Sequence, residues 1–561
     1  MNGAEALVKA LKLEGVDVIF GISGGAALPI YHALGDPENG ITHMLVRHEQ
    51  AAAHMAEGFA KATGRVGVCL ATSGPGATNL VTGIADAILD SVPMVAITGQ
   101  VPTTAIGSDA FQESDIVGVT MPIVKHSFQA RNANDIPRLV REAFYIASTG
   151  RPGPVLIDVP RDVAQAPVDK FVSPKEVKIR GYNPNTKPDL SELEQAVELI
   201  RHAEKPVLYV GGGVVSTEAH KELLALAEKT DIPVTTTLMG RGAIDDGHPL
   251  SMNMPGMHGT AYANWAIRDA DLLIAVGVRF DDRVTGNLKK FARNAKVIHV
   301  EIDPAEVHKN RVAEVSIIAD AKDALRELAE LCPEKKHDGW RRQIAQWREE
   351  QPLFYDKNGE LKPQQVIEEL SELTDGQALM ATDVGQHQMW AAQFYHFRRP
   401  RQLLTSGGLG TMGFGLPAAL GAKVAFPQQE VWLITGDGSF QMNLQELATS
   451  RVYNLPIKIA LMNNHSLGMV RQWQTLFYDQ RYSGIELPDV PDYVKLADAY
   501  GCLGLRVTKP EDVRPALEQA RATNDRTVLI EFIHDADEHV YPMIPSGQSV
   551  EDMRLQPRKR A

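Results

Sequence analysis

Cysteine is scarce in this sequence of 561 residues, with Cys69, Cys332 and Cys502 as its only three. They are odd in number and far apart, and they form no CxxC pair. This usage argues against a disulfide framework and against a zinc site built from thiolates. A reducing compartment fits it best, so we expect a cytoplasmic protein.

Long apolar runs are also lacking. No stretch approaches the roughly 18 apolar residues that a membrane-spanning helix needs. The opening segment MNGAEALVKALKLEGVDVIF predicts an amphipathic helix followed by a strand, and it has neither the apolar core of a signal peptide nor the acid-poor composition of a transit peptide. We therefore expect no membrane partner.

An excess of positive charge is the third absence. The formal net charge is −13 and the isoelectric point is about 5.8. Because binding to the phosphates of nucleic acids requires a basic surface, we expect no nucleic-acid partner. The single compact basic run, at residues 558–560, is interpreted as a solvated tail.

Short apolar runs that alternate with helical stretches are abundant. Hydrophobic residues make up 44% of the chain and charged residues 23%, the balance of an ordinary globular protein. Continuous apolar strands followed by helices predict parallel sheets covered on both faces, a doubly wound α/β fold. The clearest predicted strands lie at residues 66–72, 94–98, 154–159, 206–213, 272–277, 297–302, 431–438 and 457–464.

Two polar stretches interrupt this alternation. Residues 166–190 are proline-rich and residues 333–363 are strongly charged, and both are interpreted as connections between domains. We predict an N-terminal domain at 1–165, a central domain at 190–332 and a C-terminal domain at 362–545. The two outer domains could be similar α/β units.

The sharpest chemical signal lies in the last third of the chain. LITGDGSF ends a strand in a glycine turn that carries Asp437, and the next strand, IKIALMNN, ends at Asn464. Their separation of 27 positions is one βα unit, so the two strand ends could lie side by side. A carboxylate, an amide oxygen and a nearby carbonyl, completed by phosphate oxygens, suit Mg²⁺. Taken singly, each turn could equally be an ordinary helix start capped by Asp or Asn.

Together, GDG, the spacing and NN match the signature of thiamine-diphosphate enzymes, and other blocks resemble the acetohydroxyacid (acetolactate) synthase family. These blocks run in family order along nearly the whole chain: RHEQAAAHMAEGFAKATG, TSGPGATN, DAFQE, GRPGP, RFDDRVTG, TDVGQHQMW and GLGTMGFGLPAA. The resemblance implies a pyrimidine-binding domain, a Rossmann-like central domain and a diphosphate-binding domain. It also implies a homodimer or tetramer in which the first and last domains face each other across a subunit interface.

The resemblance further implies the contacts to thiamine diphosphate and Mg²⁺. Glu49 matches the family's catalytic glutamate, which contacts N1′ of the aminopyrimidine. Gly410 and Met412 would bind the pyrimidine through main-chain groups, with the Met412 side chain bending the cofactor. Asp437, Asn464 and the Ser466 carbonyl would hold Mg²⁺. The remaining implied cofactor contacts are Val384, Gly385, Gln386, His387, Gly436, Gly438, Ser439, Leu467, Gly468 and Met469.

Substrate contacts follow in the same way. Arg283 would receive the carboxylate of the second oxo acid, for which a guanidinium fork is well shaped. Trp473 and Met469 resemble the apolar selector that favours 2-oxobutyrate over pyruvate. Phe111 and Gln112 should line the reaction chamber.

For the central domain the resemblance implies FAD, in a chiefly structural role. The glycine run after PVLYV is a weak dinucleotide signal on its own. The implied FAD contacts are Arg151, Gly211, Gly212, Gly213, Met257, His258, Gly277, Arg279, Asp281, Arg283, Glu301, Asp303 and Asp320.

The implied reaction joins two molecules of pyruvate, or pyruvate and 2-oxobutyrate, for branched-chain amino acid biosynthesis, with a small regulatory subunit as a possible partner. Other thiamine-diphosphate chemistry remains open, as in pyruvate oxidase, an oxo-acid decarboxylase or glyoxylate carboligase. So does a different class, a non-catalytic binding protein or an NAD-type dehydrogenase. Ser23, Arg161 and Pro255 depart from the family's usual Pro, Lys and Leu, so contacts there could be tuned differently.

Overall fold

The computed structural model describes residues 1–184, 187–357, 359–488 and 490–556, and the basic run at 558–560 lies outside these ranges. Within them, no helix is long and apolar enough to cross a membrane. The strands form three sheets of six, five and six strands, and all of their pairings are parallel. The predicted doubly wound α/β class is confirmed.

The first sheet belongs to the N-terminal part of the chain. Its strands are β1 (Val18–Gly21), β2 (Thr42–Leu45), β3 (Gly67–Ala71), β4 (Met94–Gln100), β5 (His126–Gln129) and β6 (Pro154–Pro160). Its helices are α1 (Gly3–Leu13), α2 (Leu28–Leu34), α3 (Glu49–Thr63), α4 (Pro75–Asn79), α5 (Val81–Leu89), α6 (Ile116–Thr120), α7 (Ile136–Ser148) and α8 (Arg161–Gln165), with 3₁₀ turns at Pro37–Asn39, Met121–Ile123 and Ala133–Asp135. The strand order is β2-β1-β3-β4-β6-β5.

The second sheet lies in the centre. Its strands are β7 (Pro206–Val210), β8 (Val234–Thr236), β9 (Leu272–Val276), β10 (Lys296–Glu301) and β11 (Val315–Ile318), in the order β11-β10-β9-β7-β8. Its helices are α9 (Leu190–His202), α10 (Gly212–Ser216), α11 (His220–Thr230), α12 (Ala261–Asp269), α13 (Asp282–Thr285), α14 (Ala321–Leu331) and α15 (Asp338–Glu350), with a 3₁₀ turn at Leu238–Gly240.

The charged stretch at 333–363 does more than connect domains. It contains α15, whose Trp340 indole N–H donates to the Pro206 carbonyl at 3.1 Å. Trp347 of the same helix stacks edge-on against Trp265 of α12. This helix therefore packs as a cover on the central sheet.

The third sheet is C-terminal. Its strands are β12 (Leu379–Thr382), β13 (Leu403–Leu404), β14 (Val431–Gly436), β15 (Lys458–Asn463), β16 (Leu503–Val507) and β17 (Val528–Ile533). Its helices are α16 (Pro363–Leu373), α17 (Gln386–Phe394), α18 (Gly415–Ala425), α19 (Asp437–Phe440), α20 (Leu447–Val452), α21 (Gly468–Phe477), α22 (Tyr493–Ala499) and α23 (Val513–Ala522), with 3₁₀ turns at Leu444–Glu446, Pro510–Asp512 and Val550–Asp552.

The first and third sheets share one topology. The third has the order β13-β12-β14-β15-β17-β16, so each sheet, numbered within itself, reads 2-1-3-4-6-5. The expectation of two similar outer units is confirmed.

The two outer units also share a core. Helices α3 and α18 lie between their sheets, and one apolar cluster runs from Phe20, Met55 and Phe59 to Leu416 and Leu433. The contact is close because glycines face backbone: a Cβ on Gly58 would collide with the Ala418 carbonyl, and one on Gly421 would collide with the Met55 carbonyl. The helix that begins at Glu49 is thus fixed against the C-terminal unit.

Candidate functional site

The ends of β14 and β15 lie side by side, as the spacing predicts. The strands are parallel neighbours in which Gly436 pairs with Met462. Asp437 follows as the first residue of α19, and Asn464 follows the end of β15. Parallel strands present their carboxyl ends at the same sheet edge, where ligands bind in α/β folds.

Asp437 carries a buried carboxyl group whose hydrogen bonds are incomplete among the described residues. Burial raises its pKa to about 7, opposed by nearby backbone N–H groups of Gly438, Ser466 and His465. Its Oδ2 atom has no hydrogen-bond partner among the described residues. A buried, unpaired carboxylate oxygen is costly unless a cation or proton meets it.

The neighbouring groups hold this carboxyl in place. The Tyr493 hydroxyl donates to the Asp437 carbonyl at 3.0 Å. The Ser466 N–H donates to the Asn464 side-chain oxygen at 3.1 Å, which fixes the turn after β15. The residue types and their closeness fit a hard divalent cation such as Mg²⁺.

A cleft of about 90 Å³ opens above these strand ends. It brings together most of the residues that the sequence assigns to thiamine diphosphate and Mg²⁺: Val384, Gly385, Gln386, His387, Met412, Gly436, Asp437, Gly438, Ser439, Asn464, Ser466, Leu467, Gly468 and Met469. Gly410 lies outside the lining, on the exposed side of the loop that carries Met412. The lining also includes four residues that sequence reasoning missed, Trp390, Met462, Val470 and His534.

Two of these four residues could have been found from their positions in the sequence. His534 comes directly after β17, the neighbour of β15, so the strand-end rule alone points to it. Trp390 lies one helical turn beyond Gln386 on α17, a spacing that places both side chains on one face.

Among the described residues, the lining contains neither lysine nor arginine. Its two histidines are neutral, because burial lowers the pKa of His387 to about 3 and that of His534 to about 4. An anionic group in this cleft must therefore be balanced by a bound cation and by N–H groups. The N-termini of α17 and α21, which begin at Gln386 and Gly468, supply such N–H groups.

Several buried polar atoms converge on the same space without a partner in the described chain. They are Gln386 Oε1, His387 Nε2, Trp390 Nε1, Asp437 Oδ2 and the Ser466 hydroxyl. Buried polar atoms are normally hydrogen-bonded. Their concentration here is the pattern of a site that binds a polar, cation-bearing ligand.

The predicted catalytic residues of the N-terminal unit lie elsewhere on the chain. Glu49 begins α3, is half-buried, and accepts a hydrogen bond of 2.9 Å from the Asn79 amide. Phe111 is 88% exposed, and Gln112 adopts a left-handed conformation with φ of 59°. None of the three lines the cleft. Within one chain, the two halves of the expected site stay apart.

The predicted substrate residues Arg283 and Trp473 line two cavities that share a third segment of the chain. Arg283 lines a small cavity with Met257 and residues 544–550. Trp473 lines a neighbouring cavity of about 600 Å³ with Phe477 and Arg554. Pro545, Ser546 and Gln548 line both cavities. No sequence pattern marked this segment, which has no strand of its own and only a short turn at Gly547.

The residues assigned to FAD gather at the carboxyl edge of the central sheet. Gly211 to Gly213 follow β7, and Gly277 and Arg279 follow β9. Glu301 ends β10, Asp303 follows it, and Asp320 caps α14 after β11. Arg151 reaches this edge from the N-terminal unit, with its guanidinium 3.4 Å from Asp303 Oδ2 and 2.8 Å from Glu306 Oε1. Asp281 pairs with Arg279 at 2.6 Å.

The remaining assigned residues lie close by. The Met257 N–H donates to the Arg283 carbonyl at 2.7 Å, and the His258 carbonyl accepts from the Gln393 amide at 2.8 Å. Of the departures from the family pattern, Ser23 and Arg161 are exposed and Pro255 is buried in the turn before Met257.

Family models match the chain in three places. An N-terminal thiamine pyrophosphate (TPP) binding domain covers residues 1–119, a central domain of thiamine pyrophosphate enzymes covers 193–328, and a C-terminal TPP binding domain covers 383–532. The chain belongs to the thiamine pyrophosphate enzyme family. Thiamine pyrophosphate is thiamine diphosphate under its other name, and the cleft described above lies within the C-terminal binding domain of this thiamine pyrophosphate enzyme.

Similar curated proteins cover this thiamine pyrophosphate enzyme almost completely. "Acetolactate synthase" of Mycobacterium bovis is 54% identical over 99% of this chain and 91% of its own length. "Acetolactate synthase large subunit" of Corynebacterium glutamicum is 54% identical over 99% and 90%. "Acetolactate synthase isozyme 3 large subunit" of Escherichia coli is 47% identical over 100% and 99%.

Proposed function

We propose that this chain is an acetolactate synthase catalytic subunit. It decarboxylates pyruvate and joins the two-carbon unit to a second pyruvate, giving 2-acetolactate, or to 2-oxobutyrate, giving 2-aceto-2-hydroxybutyrate, in valine, leucine and isoleucine biosynthesis. The main support is identity of 47–54% to acetolactate synthases over at least 99% of the chain. Because the match covers at least 99% of the chain, it includes both cofactor-binding units.

Thiamine diphosphate and Mg²⁺ are the proposed cofactors of the cleft. Asp437, Asn464 and the Ser466 carbonyl would hold the cation, and the N–H groups at the starts of α17 and α21 would hold the diphosphate oxygens. In the part of the chain that the structure describes, the unpaired Asp437 oxygen and a lining without lysine or arginine support this division. When bound, thiamine diphosphate supplies the carbanion chemistry that decarboxylation needs.

Glu49 is the proposed proton-exchanging carboxyl at the pyrimidine. The Asn79 amide holds it at 2.9 Å and limits its rotation. Since Glu49, Phe111 and Gln112 lie away from the cleft of their own chain, we place the complete site between two copies, in a homodimer or tetramer. The 88% exposure of Phe111 is consistent with a side chain that is covered by a second copy.

Arg283 and Trp473 are the proposed substrate residues. The side chain of Arg283 is 56% exposed, and its nearest carboxylate, Asp282, is 3.8 Å away. Such a guanidinium can donate hydrogen bonds to the carboxylate of an incoming oxo acid. Trp473, with Phe477 against its ring, offers an apolar wall for the extra methylene of 2-oxobutyrate. Met469 of the cleft lies one turn before Trp473 on α21.

FAD is the proposed cofactor of the central unit, in a structural role, because the net reaction transfers no electrons. The carboxyls of Glu301 and Asp303 at the end of β10 suit ribose hydroxyls, and Arg151 suits a phosphate. We keep 1–165, 190–332 and 362–545 as the proposed domain boundaries.

Two finer points belong to the same proposal. The three cysteines are buried and free, which agrees with a reducing, cytoplasmic location. The relatives named as large subunits support a small regulatory subunit as a partner of this chain.

The decisive experiment incubates the purified chain with pyruvate, thiamine diphosphate, Mg²⁺ and FAD. We expect acetolactate as the main product, and with added 2-oxobutyrate we expect 2-aceto-2-hydroxybutyrate. Acetaldehyde as the main product would identify a decarboxylase, and acetate with flavin reduction would identify an oxidase. Either result would overturn the proposal.

A further inference from the structure

The loop that carries Gly410 and Met412 is held by side chains at almost every step. The Gly407 and Gly408 N–H groups donate to the Asp90 carboxylate at 3.0 and 2.7 Å. The Gly410 and Thr411 N–H groups donate to the Ser406 hydroxyl at 3.0 and 2.9 Å. The backbone of Met412 takes no part in these bonds and so stays available to a ligand.

Ser406 is the centre of this arrangement. A hydroxyl has one proton to donate and two lone pairs to accept with. The proton of Ser406 goes to Asp86 Oδ1 at 2.6 Å, in a bond between two buried groups. Both lone pairs are then free for the two N–H groups of the loop. Without an acceptor at Asp86, the hydroxyl could turn its proton toward the loop and lose one of them.

The acceptor comes from the other cofactor-binding unit. Asp86 lies on α5 and Asp90 caps its end, both in the N-terminal unit, whereas Ser406 lies in the C-terminal unit. Lys61 of α3 completes the link by donating to Asp90 Oδ2 and to the Thr405 carbonyl, each at 2.5 Å. Helices α3 and α5 therefore act together on one loop of the distant sheet.

Buried titratable groups surround Asp86. The cluster consists of three buried residues, His54, Glu57 and Asp86. One side-chain nitrogen or oxygen of each lies within 4.8 Å of those of the other two. Burial raises the pKa of Asp86 well above its ordinary value, and the charges of Glu57 and Asp90 add to this. Burial also lowers the pKa of His54 to about 4. The Asp86 Oδ1 atom can accept from Ser406 in either protonation state.

We propose that Ser406 and Asp86 are positioning residues for thiamine diphosphate: their hydrogen bond across the two units preorganises the Gly410–Met412 backbone that meets the pyrimidine. This inference rests on the proposed function for its ligand, but the geometry of the loop stands independently of it. A loop that is ordered before binding loses less conformational freedom on binding. If the ordered form fell to about one tenth of the population, the apparent affinity would fall about tenfold.

The first test replaces Ser406 with Ala and measures two quantities on the full chain. Amide hydrogen exchange at Gly410 and Thr411, without cofactor, should become about tenfold faster or more. Calorimetric affinity for thiamine diphosphate, with Mg²⁺ at saturation, should fall about tenfold. Unchanged exchange, or faster exchange with unchanged affinity, overturns the inference.

Thr98→Val is the matched control. Its hydroxyl also donates to a buried carboxylate within the fold, Asp158 Oδ1 at 2.8 Å, and it touches no part of the loop. We expect Thr98→Val to lower the unfolding temperature about as much as Ser406→Ala, while loop exchange and cofactor affinity stay as in the unmodified chain. An equal loss of affinity in both variants would mean general destabilisation and would refute a positioning role.

A second pair of variants, at Asp86, tests the same inference if Ser406→Ala fails to fold. Asp86→Asn retains an oxygen that can accept from Ser406, whereas Asp86→Leu has the size but no acceptor. We expect loop exchange and affinity close to normal in the first and the full loss in the second; equal loss in both overturns the inference. If the unmodified chain itself fails to bind thiamine diphosphate, the proposed function falls, and that failure is distinct from any difference between variants.

Discussion

At the scale of single residues, Asp437 and Glu49 are two carboxyls in different settings. Asp437 is buried at a strand end with one oxygen unpaired. Glu49 is half-buried at a helix start with an amide on one oxygen. The first setting suits a group that is permanently occupied by a cation. The second suits a group that exchanges a proton with a neighbour.

Asp437→Asn tests the cation site. The amide cannot supply the charge that Mg²⁺ requires, so we expect the affinity for Mg²⁺ to fall at least about tenfold. Calorimetric titration of Mg²⁺ in the presence of thiamine diphosphate measures it. Asp479→Asn, at an exposed position of left-handed backbone that asparagine tolerates, is the control and should bind normally. Equal affinity in both variants would count against a metal role for Asp437.

Glu49→Gln tests the proton-exchanging group. General acid–base groups contribute about 10²–10⁴-fold, so we expect acetolactate formation to slow at least about 100-fold while the fold stays intact. Initial rates at saturating cofactor measure the effect. Glu14→Gln, which alters a carboxyl paired with Arg141 far from the site, should leave the rate unchanged. A Glu49→Gln enzyme of normal rate would remove Glu49 from the mechanism.

Trp473→Leu tests the acceptor pocket. One methylene in an apolar pocket is worth about 1–3 kcal/mol, and loss of the indole should remove most of that discrimination. We expect the preference for 2-oxobutyrate over pyruvate to fall about tenfold or more in competition assays. The product ratio is the measurement, and an unaltered ratio would exclude Trp473 as the selector.

At the scale of elements, β10 ends in a carboxyl that the fold keeps protonated. Burial raises the pKa of Glu301 to about 7 from its usual 4.5. The folded state therefore binds a proton that the unfolded state has released between these values, so Glu301 lowers stability as pH rises from about 4.5 to 7. The loss amounts to at most about 1.4 kcal/mol per pH unit.

Glu301→Gln removes this titration and keeps the oxygen that accepts from the Ile302 and Asp303 N–H groups. We expect the variant to unfold at higher temperature than the unmodified chain, with a gap that widens up to about pH 7 and then stays constant. Thermal unfolding of the FAD-free protein at pH 5, 6, 7 and 8 measures the gap. Parallel curves for the two proteins would show that Glu301 is not protonated in the fold.

The elements that the sequence predicts are those with unbroken apolar runs. The strands at 431–438 and 457–464 are found as β14 and β15, because every residue of both strands is buried. Strands such as β5, with sequence HSFQ and no fully buried residue, and β13, with two residues, carry no such signal. They form because a neighbouring strand offers backbone partners, which no local pattern records.

The same limit applies to the candidate site. The strand-end motifs suffice to bring Asp437 and Asn464 together at the cleft, since GDG and NN each lie at the end of a recognisable strand. The segment at 544–550, which joins the cavities of Arg283 and Trp473, follows from tertiary packing alone. The Ser406–Asp86 bond spans 320 positions, so only the docking of α5 on the C-terminal loop reveals it.

At the scale of the whole molecule, the separation of Glu49 from the cleft determines how activity depends on assembly. In the proposed dimer, each site takes Glu49 from one copy and Asp437 from the other. A mixed dimer of Glu49→Gln and Asp437→Asn chains then has one site with both defects and one site with none.

Mixing the two variants, with dissociation and reassembly, should therefore restore activity to about a quarter of normal at a Mg²⁺ concentration too low for Asp437→Asn, because half of the dimers are mixed and half of their sites are intact. Steady-state rates after reassembly measure it. Either variant reassembled alone should keep only its own reduced rate. No recovery in the mixture, with mixed dimers demonstrated, would show that each site is built from one chain.

The repeated strand order 2-1-3-4-6-5 means that equivalent positions of the two outer units carry different residues. In the C-terminal unit the third and fourth strands are followed by Asp437 and by Asn464, whereas in the N-terminal unit Thr72 and Val101 stand directly after the corresponding strands. One scaffold thus occurs twice with different residues at the same edge: the proposed metal ligands in one unit, and Glu49 at the start of a helix in the other. In the proposed dimer, each site would therefore need one unit of each kind, the N-terminal unit of one copy and the C-terminal unit of the other.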